Sequence, residues 1–143
     1  MREGEAEGVN YYYMTPEAFI GKVKNNEMLE STCFNNWYYG TSIDSLRDGS
    51  YNIGVFNPDG IRSIRNNPRI DLTVFRIECL PKIRLLRQLN REENPDVNEI
   101  IRRWTTDQND FKDLDFYYIA IENNDEEDLD LATYAILQEL NLV

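Results

Sequence analysis

From Tyr51 onward the chain alternates stretches of β-formers with stretches of helical periodicity, and this alternation restricts the fold more than any other feature of the sequence. Tyr51–Phe56 reads as a buried strand broken by Asn57-Pro58-Asp59-Gly60, and Ile61–Asn66 as a short helix. Leu72–Ile77 reads as a second buried strand. Pro81–Arg91 and Asp96–Phe111 are helical, and Phe116–Glu122 is a strand. Glu126–Leu140 closes the chain as an amphipathic helix with Leu129, Ala132, Ile136 and Leu140 on one face. Strands separated by helices are the mark of an α/β domain with a parallel sheet.

The first fifty residues are patterned differently. Asn10–Met14 (NYYYM) is rich in aromatic β-formers. Thr15 has the character of an N-cap, Pro16 suits the first helical position and Glu17 the first turn, so a helix is expected to about Asn26. Met28–Phe34 and Trp37–Tyr39 read as strands joined at Asn35-Asn36, and Ser42–Arg47 as a short helix. The expected organisation is one domain over 1–143. A strand-rich lobe occupies 1–50, and an α/β core with two helices over about 81–111 occupies 51–143.

Composition removes several functions. The chain has no histidine, which excludes His-based acid–base chemistry, Ser-His-Asp triads and most zinc sites. A net charge of -11 disfavours DNA or RNA as the main partner. Cys33 and Cys79 each sit in an apolar stretch and are read as reduced, buried and structural, in keeping with a cytoplasmic location. No apolar run is long enough to span a membrane, and the leading MREGEAEG lacks the apolar core of a signal peptide.

Arg2, Tyr11, Glu30, Tyr39 and Thr41 are polar-tipped and lie in or beside the short strands of the first lobe. A guanidinium with two Tyr hydroxyls can hold a phosphate. A carboxylate such as that of Glu30 can accept from the N1–H and exocyclic amine of guanine, an edge adenine does not offer. Each residue also has a plain reading, since Tyr is common in strands and a Glu beside apolar residues often faces solvent.

The run REGEAEGVNYYYMTPEAFIGKVKNNEMLE, followed by YYGTSIDSL, resembles the guanylate kinase family. That family shows an R-x-G-E-x-x-G-x-x-Y segment, an F-x-x-x-I/V helix, an N-x-E-F/M-I/L-E strand and a Y-Y-G-T/S turn, and identities and spacing agree from Arg2 to about Ser42. The resemblance implies that Arg2, Tyr11 and Tyr39 hold the GMP phosphate while Glu30 and Thr41 read the base. PKIRLLRQLNR and IIRRW are similar to the family's lid helices, which implies phosphoryl-group contacts, and so catalytic roles, for Arg87, Arg91 and Arg103. Arg84 and Arg102 are read as a solvated basic face. FYYIAIENND is similar to the family's late strand and its ending, which implies that Asn123 or Asn124 lies near the ATP adenine, with Asn123 preferred.

Two departures stand out. VFNPDG puts Asn57 where the family has an acid that helps bind the nucleotide, so Asn57 can offer a hydrogen bond but no charge. The chain also contains no G-x-x-x-x-G-K-[ST]. Gly4-Glu5-Ala6-Glu7-Gly8 is no substitute, having no Lys and carrying acids where phosphate would approach. The expected fold is therefore a P-loop-kinase-like parallel sheet without its first strand and helix.

The expected function is GMP binding in a chain that alone does not catalyse ATP + GMP to ADP + GDP. No cofactor or metal is held by the chain itself, with ATP and Mg²⁺ entering only if the loop is supplied. The alternative is a non-catalytic module that grips a phosphorylated peptide. Self-association through unpaired strand edges is a further expectation.

Overall fold

The computed structural model describes residues 6–9, 11–34 and 36–143. Arg2, Asn10 and Asn35 lie outside the described residues. The chain forms a mixed α/β structure in two compact units, Met1–Ile70 and Asp71–Val143.

In the first unit, helix α1 (Pro16–Lys24) begins as the sequence indicates. Thr15 Oγ1 accepts from the Ala18 amide at 3.3 Å, and Pro16 occupies the first turn, where its missing N–H costs nothing. The helix stops at Asn25, and Asn26 takes the left-handed conformation (φ 57°) that asparagine tolerates. Strands β1 (Met28–Phe34) and β2 (Trp37–Ser42) form an antiparallel hairpin. Asn36 at φ 63° makes its turn, and a register shift falls between Met28 and Glu30.

α1 covers one face of the hairpin through buried Phe19, which stacks on Tyr38 with ring centroids 5.5 Å apart. Gly40 sits beneath that contact. A Cβ there would stand 2.6 Å from the Glu30 carbonyl oxygen and 3.1 Å from Phe19 Cζ, so only glycine fits.

Ser42–Arg47 forms a single 3-10 turn at Ile43–Ser45. Helix α2 (Pro58–Ile64) starts three residues before the expected Ile61. The Asn57-Pro58 pair, read as a strand breaker, is the helix start: Asn57 Oδ1 accepts from the Gly60 amide at 2.8 Å and Pro58 opens the first turn. α2 packs beside β1 and buries Ile61 and Ile64.

Among the described residues of this unit two expected strands do not form. Tyr51–Phe56 is irregular, with Ile53 91% and Val55 100% exposed. Among the described residues no strand pairs with it, so its β-formers have no ladder to join. Among the described residues the stretch after Asn10 pairs through one bridge, between Tyr11 and Glu7.

The second unit holds two parallel strands, β3 (Phe75–Glu78) and β4 (Ile119–Glu122), in register from Phe75 opposite Ile119 to Glu78 opposite Glu122. Both are shorter than their apolar runs, because pairing extends only where the two meet. Helix α3 (Pro81–Leu89) packs on α4 (Val97–Asp110), where the Arg84 guanidinium lies 4.2 Å over the Trp104 ring. α4 is capped by Asp96, whose side chain accepts from the Glu99 amide at 3.0 Å. Helix α5 (Glu126–Glu139) lays Ala132 toward β4, whose Ile121 is also buried. Leu129, expected on the same face, is 53% exposed. No helix among the described residues is long and apolar enough to cross a membrane.

Candidate functional site

Cross-strand partners in the hairpin share a face, and the register sorts its residues. Ser31 opposite Gly40 and Cys33 opposite Tyr38 fall on the α1 side. Glu30 opposite Thr41 and Thr32 opposite Tyr39 fall on the other. The bulge beside Glu30 is what lets Met28 reach back to the α1 side, where its Cε approaches the Gly40 position. The α1 side also carries a groove of about 310 Å³ whose lining includes Phe19, Ile20, Val23, Cys33 and Tyr38, together with Ser31 and Thr32. That groove is mainly apolar, and none of Tyr11, Glu30, Tyr39 and Thr41 lines it. Cys33, read as buried, is exposed at its rim, and Cys79 is half-buried.

On the opposite face two pairs form. The Thr41 hydroxyl donates to Glu30 Oε1 at 2.9 Å, and both residues are half-buried. Among the described residues Glu30 Oε2 has no partner. The carboxylate is thus held by one oxygen and offers the other to an incoming donor pair. Tyr11 meets Tyr39 edge-on, with ring centroids 6.2 Å apart, and Tyr13 at 6.0 Å continues the cluster. A carboxylate acceptor therefore stands on the same hairpin face as the Tyr39 phenol, two residues along each strand, with Tyr11 against Tyr39. Arg2, the remaining member of this set, lies outside the described residues. Asn57 is occupied locally, its Oδ1 serving as the α2 cap.

In the second unit the three lid arginines have different surroundings. Arg87 is turned to the end of β4: Nη1 donates to the Asn123 carbonyl at 2.8 Å and to Asn123 Oδ1 at 3.2 Å, and Nη2 donates to the Asn124 carbonyl at 3.1 Å. Arg103 is bound to Glu99 at 2.7 Å, a carboxylate it shares with Arg102 at 2.6 Å. These hydrogen bonds, that from Arg102 first, hold the Glu99 carboxyl down at about 2. Arg91 is exposed and has no partner among the described residues.

Of the basic residues read as a solvated face, Arg102 is bridged to Glu99 and Arg84 packs on Trp104. Asn124 is structural, since its Oδ1 accepts from the Leu80 amide at 2.8 Å at the head of α3. Sequence reading did not anticipate that tie, nor the Arg76 guanidinium stacked 5.2 Å from the Tyr118 ring. Both join residues more than forty positions apart and leave no local pattern. Among the described residues no three His, Cys, Asp or Glu side chains stand together to hold a metal ion.

Comparison with known proteins gives the family of the chain. The guanylate kinase family model matches residues 1–140. Guanylate kinase of Rickettsia prowazekii (strain Madrid E) is 32% identical over 130 residues, covering 87% of this chain and 64% of that protein. Guanylate kinase of Rickettsia conorii is 33% identical over 130 residues, covering 87% of this chain and 56% of its own length. That of Fusobacterium nucleatum is 31% identical over 132 residues, covering 69% of its length. The chain thus spans less than two thirds of the two rickettsial relatives. The chain belongs to the guanylate kinase family.

Proposed function

We propose that this chain supplies the GMP-binding lobe of a guanylate kinase. The observation that carries the reading is the Thr41–Glu30 hydrogen bond at 2.9 Å. By taking Oε1, Thr41 leaves Oε2 to accept from the N1–H and exocyclic amine of guanine. A base without that donor pair leaves a half-buried carboxylate unpaired, which is the physical basis of discrimination. Tyr39 and Tyr11 hold the phosphate with Arg2, while Asn57 contributes only through the α2 cap.

The reaction of the complete catalytic unit is γ-phosphoryl transfer from ATP to GMP, with Mg²⁺ arriving as part of the nucleotide substrate. Charge on the transferring group is met by Arg91, which is free to move to it, and by Arg103 once it leaves Glu99. Asn123 faces the ATP purine. The chain contains no G-x-x-x-x-G-K-[ST], so it has no backbone cradle for the ATP phosphates and does not turn over alone.

A coupled assay for ADP with ATP and GMP tests the last point, and sustained turnover by the purified chain would overturn it. Competition between GMP and a phosphoserine peptide for the Tyr39 resonances tests the ligand class. Displacement of the peptide by GMP supports the nucleotide lobe. Peptide binding without GMP binding would assign the lobe to a non-catalytic interaction module.

A further inference from the structure

Arg87 and Asn123 are 36 positions apart in sequence, yet their side chains meet. The Arg87 Nη1 also reaches the Asn123 carbonyl at 2.8 Å, and Nη2 reaches the Asn124 carbonyl at 3.1 Å, so the fork is filled by acceptors. An arginine in this geometry is committed to the β4–α5 turn rather than offered to a phosphate. The contact also has a consequence for Asn123. Guanidinium groups donate and never accept, so the atom of the Asn123 amide that faces Arg87 must be the oxygen. The amide nitrogen is then turned the other way, and among the described residues Asn123 Nδ2 has no partner. Asn124 cannot take this role, because its Oδ1 is held by the Leu80 amide at 2.8 Å and its Nδ2 reaches Glu122 Oε2 at 3.5 Å.

We infer that Arg87 is a positioning residue that locks the Asn123 side chain with its NH₂ outward, so that Asn123 presents a donor to a ring-nitrogen acceptor of the ATP purine. The inference rests on the reading of Asn123 as a purine contact. It assigns Arg87 a part in base recognition, leaving phosphate neutralisation to Arg91 and Arg103. An asparagine free to rotate offers either a donor or an acceptor and must be ordered on binding, whereas a pinned one has that cost removed beforehand.

The test is an NMR titration of the full chain at millimolar concentrations of ATP and, separately, of inorganic tripolyphosphate. Wild type, Arg87→Ala, Arg87→Lys, Asn123→Ala and the Arg87→Ala/Asn123→Ala double variant are compared. Arg87→Ala and Asn123→Ala are each expected to weaken ATP about tenfold, the value of one hydrogen bond. The double variant is expected to be no weaker than Asn123→Ala, and tripolyphosphate affinity is expected to be unchanged throughout. In the ligand-free chain, Arg87→Ala is expected to move the Asn123 side-chain amide peaks toward those of an exposed asparagine, with Arg87→Lys in between. Thermal melts of each variant separate these effects from unfolding.

Equal losses of ATP and tripolyphosphate in Arg87→Ala would make Arg87 a phosphate ligand and overturn the inference. Losses that multiply in the double variant, or Asn123 amide peaks unmoved in Arg87→Ala, would also overturn it. If Asn123→Ala binds ATP like wild type while the amide peaks still move in Arg87→Ala, the purine reading of Asn123 fails and the Arg87 lock stands.

Discussion

Thr41 Oγ1 donates to Glu30 Oε1 across the hairpin at 2.9 Å, and this one bond decides which carboxylate oxygen is left for a ligand. Its removal is informative because it separates orientation from recognition. Thr41→Val is expected to weaken GMP about tenfold by freeing the carboxylate to rotate, while Thr41→Ser keeps the bond and the affinity. Calorimetric titration with GMP checks both.

The two phenols predict a different split. Tyr39→Phe, which keeps the ring against Tyr11 and deletes the hydroxyl, is expected to weaken GMP about five- to tenfold and leave guanosine binding unchanged. The ratio of the two affinities is the readout. An equal loss for guanosine would place Tyr39 at the base end.

Gly40 carries the hairpin rather than the ligand. Gly40→Ala would drive a Cβ to 2.6 Å from the Glu30 carbonyl oxygen and 2.8 Å from Met28 Cε. The backbone oxygen cannot step aside, so a loss of about 1–3 kcal/mol in urea denaturation is expected. A side-chain-only relaxation around Met28 would cost less than that range.

Asn57 separates a cap from a ligand. Asn57→Ala removes the acceptor for the Gly60 amide and is expected to cost about 1 kcal/mol of stability. Asn57→Asp keeps the cap and is expected to restore stability with GMP affinity close to wild type. A large affinity change in Asn57→Asp at intact stability would give Asn57 a ligand contact.

The Glu99 carboxyl, held at about 2 by Arg102 and Arg103 against a reference value of 4.5, makes α4 acid-sensitive. A folded value below the unfolded one favours the helix fully above about 4.5, and that contribution is lost as pH falls toward 2. NMR titration of the Glu99 carboxyl is expected to show a midpoint near 2 in wild type, rising toward 4.5 in the Arg102→Gln/Arg103→Gln double variant. A wild-type midpoint near 4.5 would mean the two ion pairs do not persist in solution.

The hairpin half of the site was legible because it is local. Glu30 and Thr41 lie eleven positions apart, joined by one turn, and strand alternation alone puts them on a common face. The helix starts at Thr15 and Asp96 were legible for the same reason, since a cap and its amide are three residues apart. What the sequence did not reveal depends on distant partners. Tyr51–Phe56 has strand composition, but whether it pairs depends on what lies beside it. Arg87 carries the same charge whether it faces a phosphate or the carbonyls of Asn123 and Asn124, so only the fold distinguishes the two. The Asn57-Pro58 pair was ambiguous in a milder way: it ends an apolar run and starts a helix equally well, and the buried Ile61 and Ile64 decide for the helix.

Whether the Glu30 face of the hairpin reads guanine is decided by calorimetric titration of the chain with GMP and AMP, before and after Glu30→Gln. GMP is expected to bind, AMP to bind at least about a hundredfold more weakly, and Glu30→Gln to remove most of that difference without lowering the melting temperature. Equal binding of GMP and AMP by the wild-type chain, or full GMP selectivity in Glu30→Gln, would contradict guanine recognition by this face.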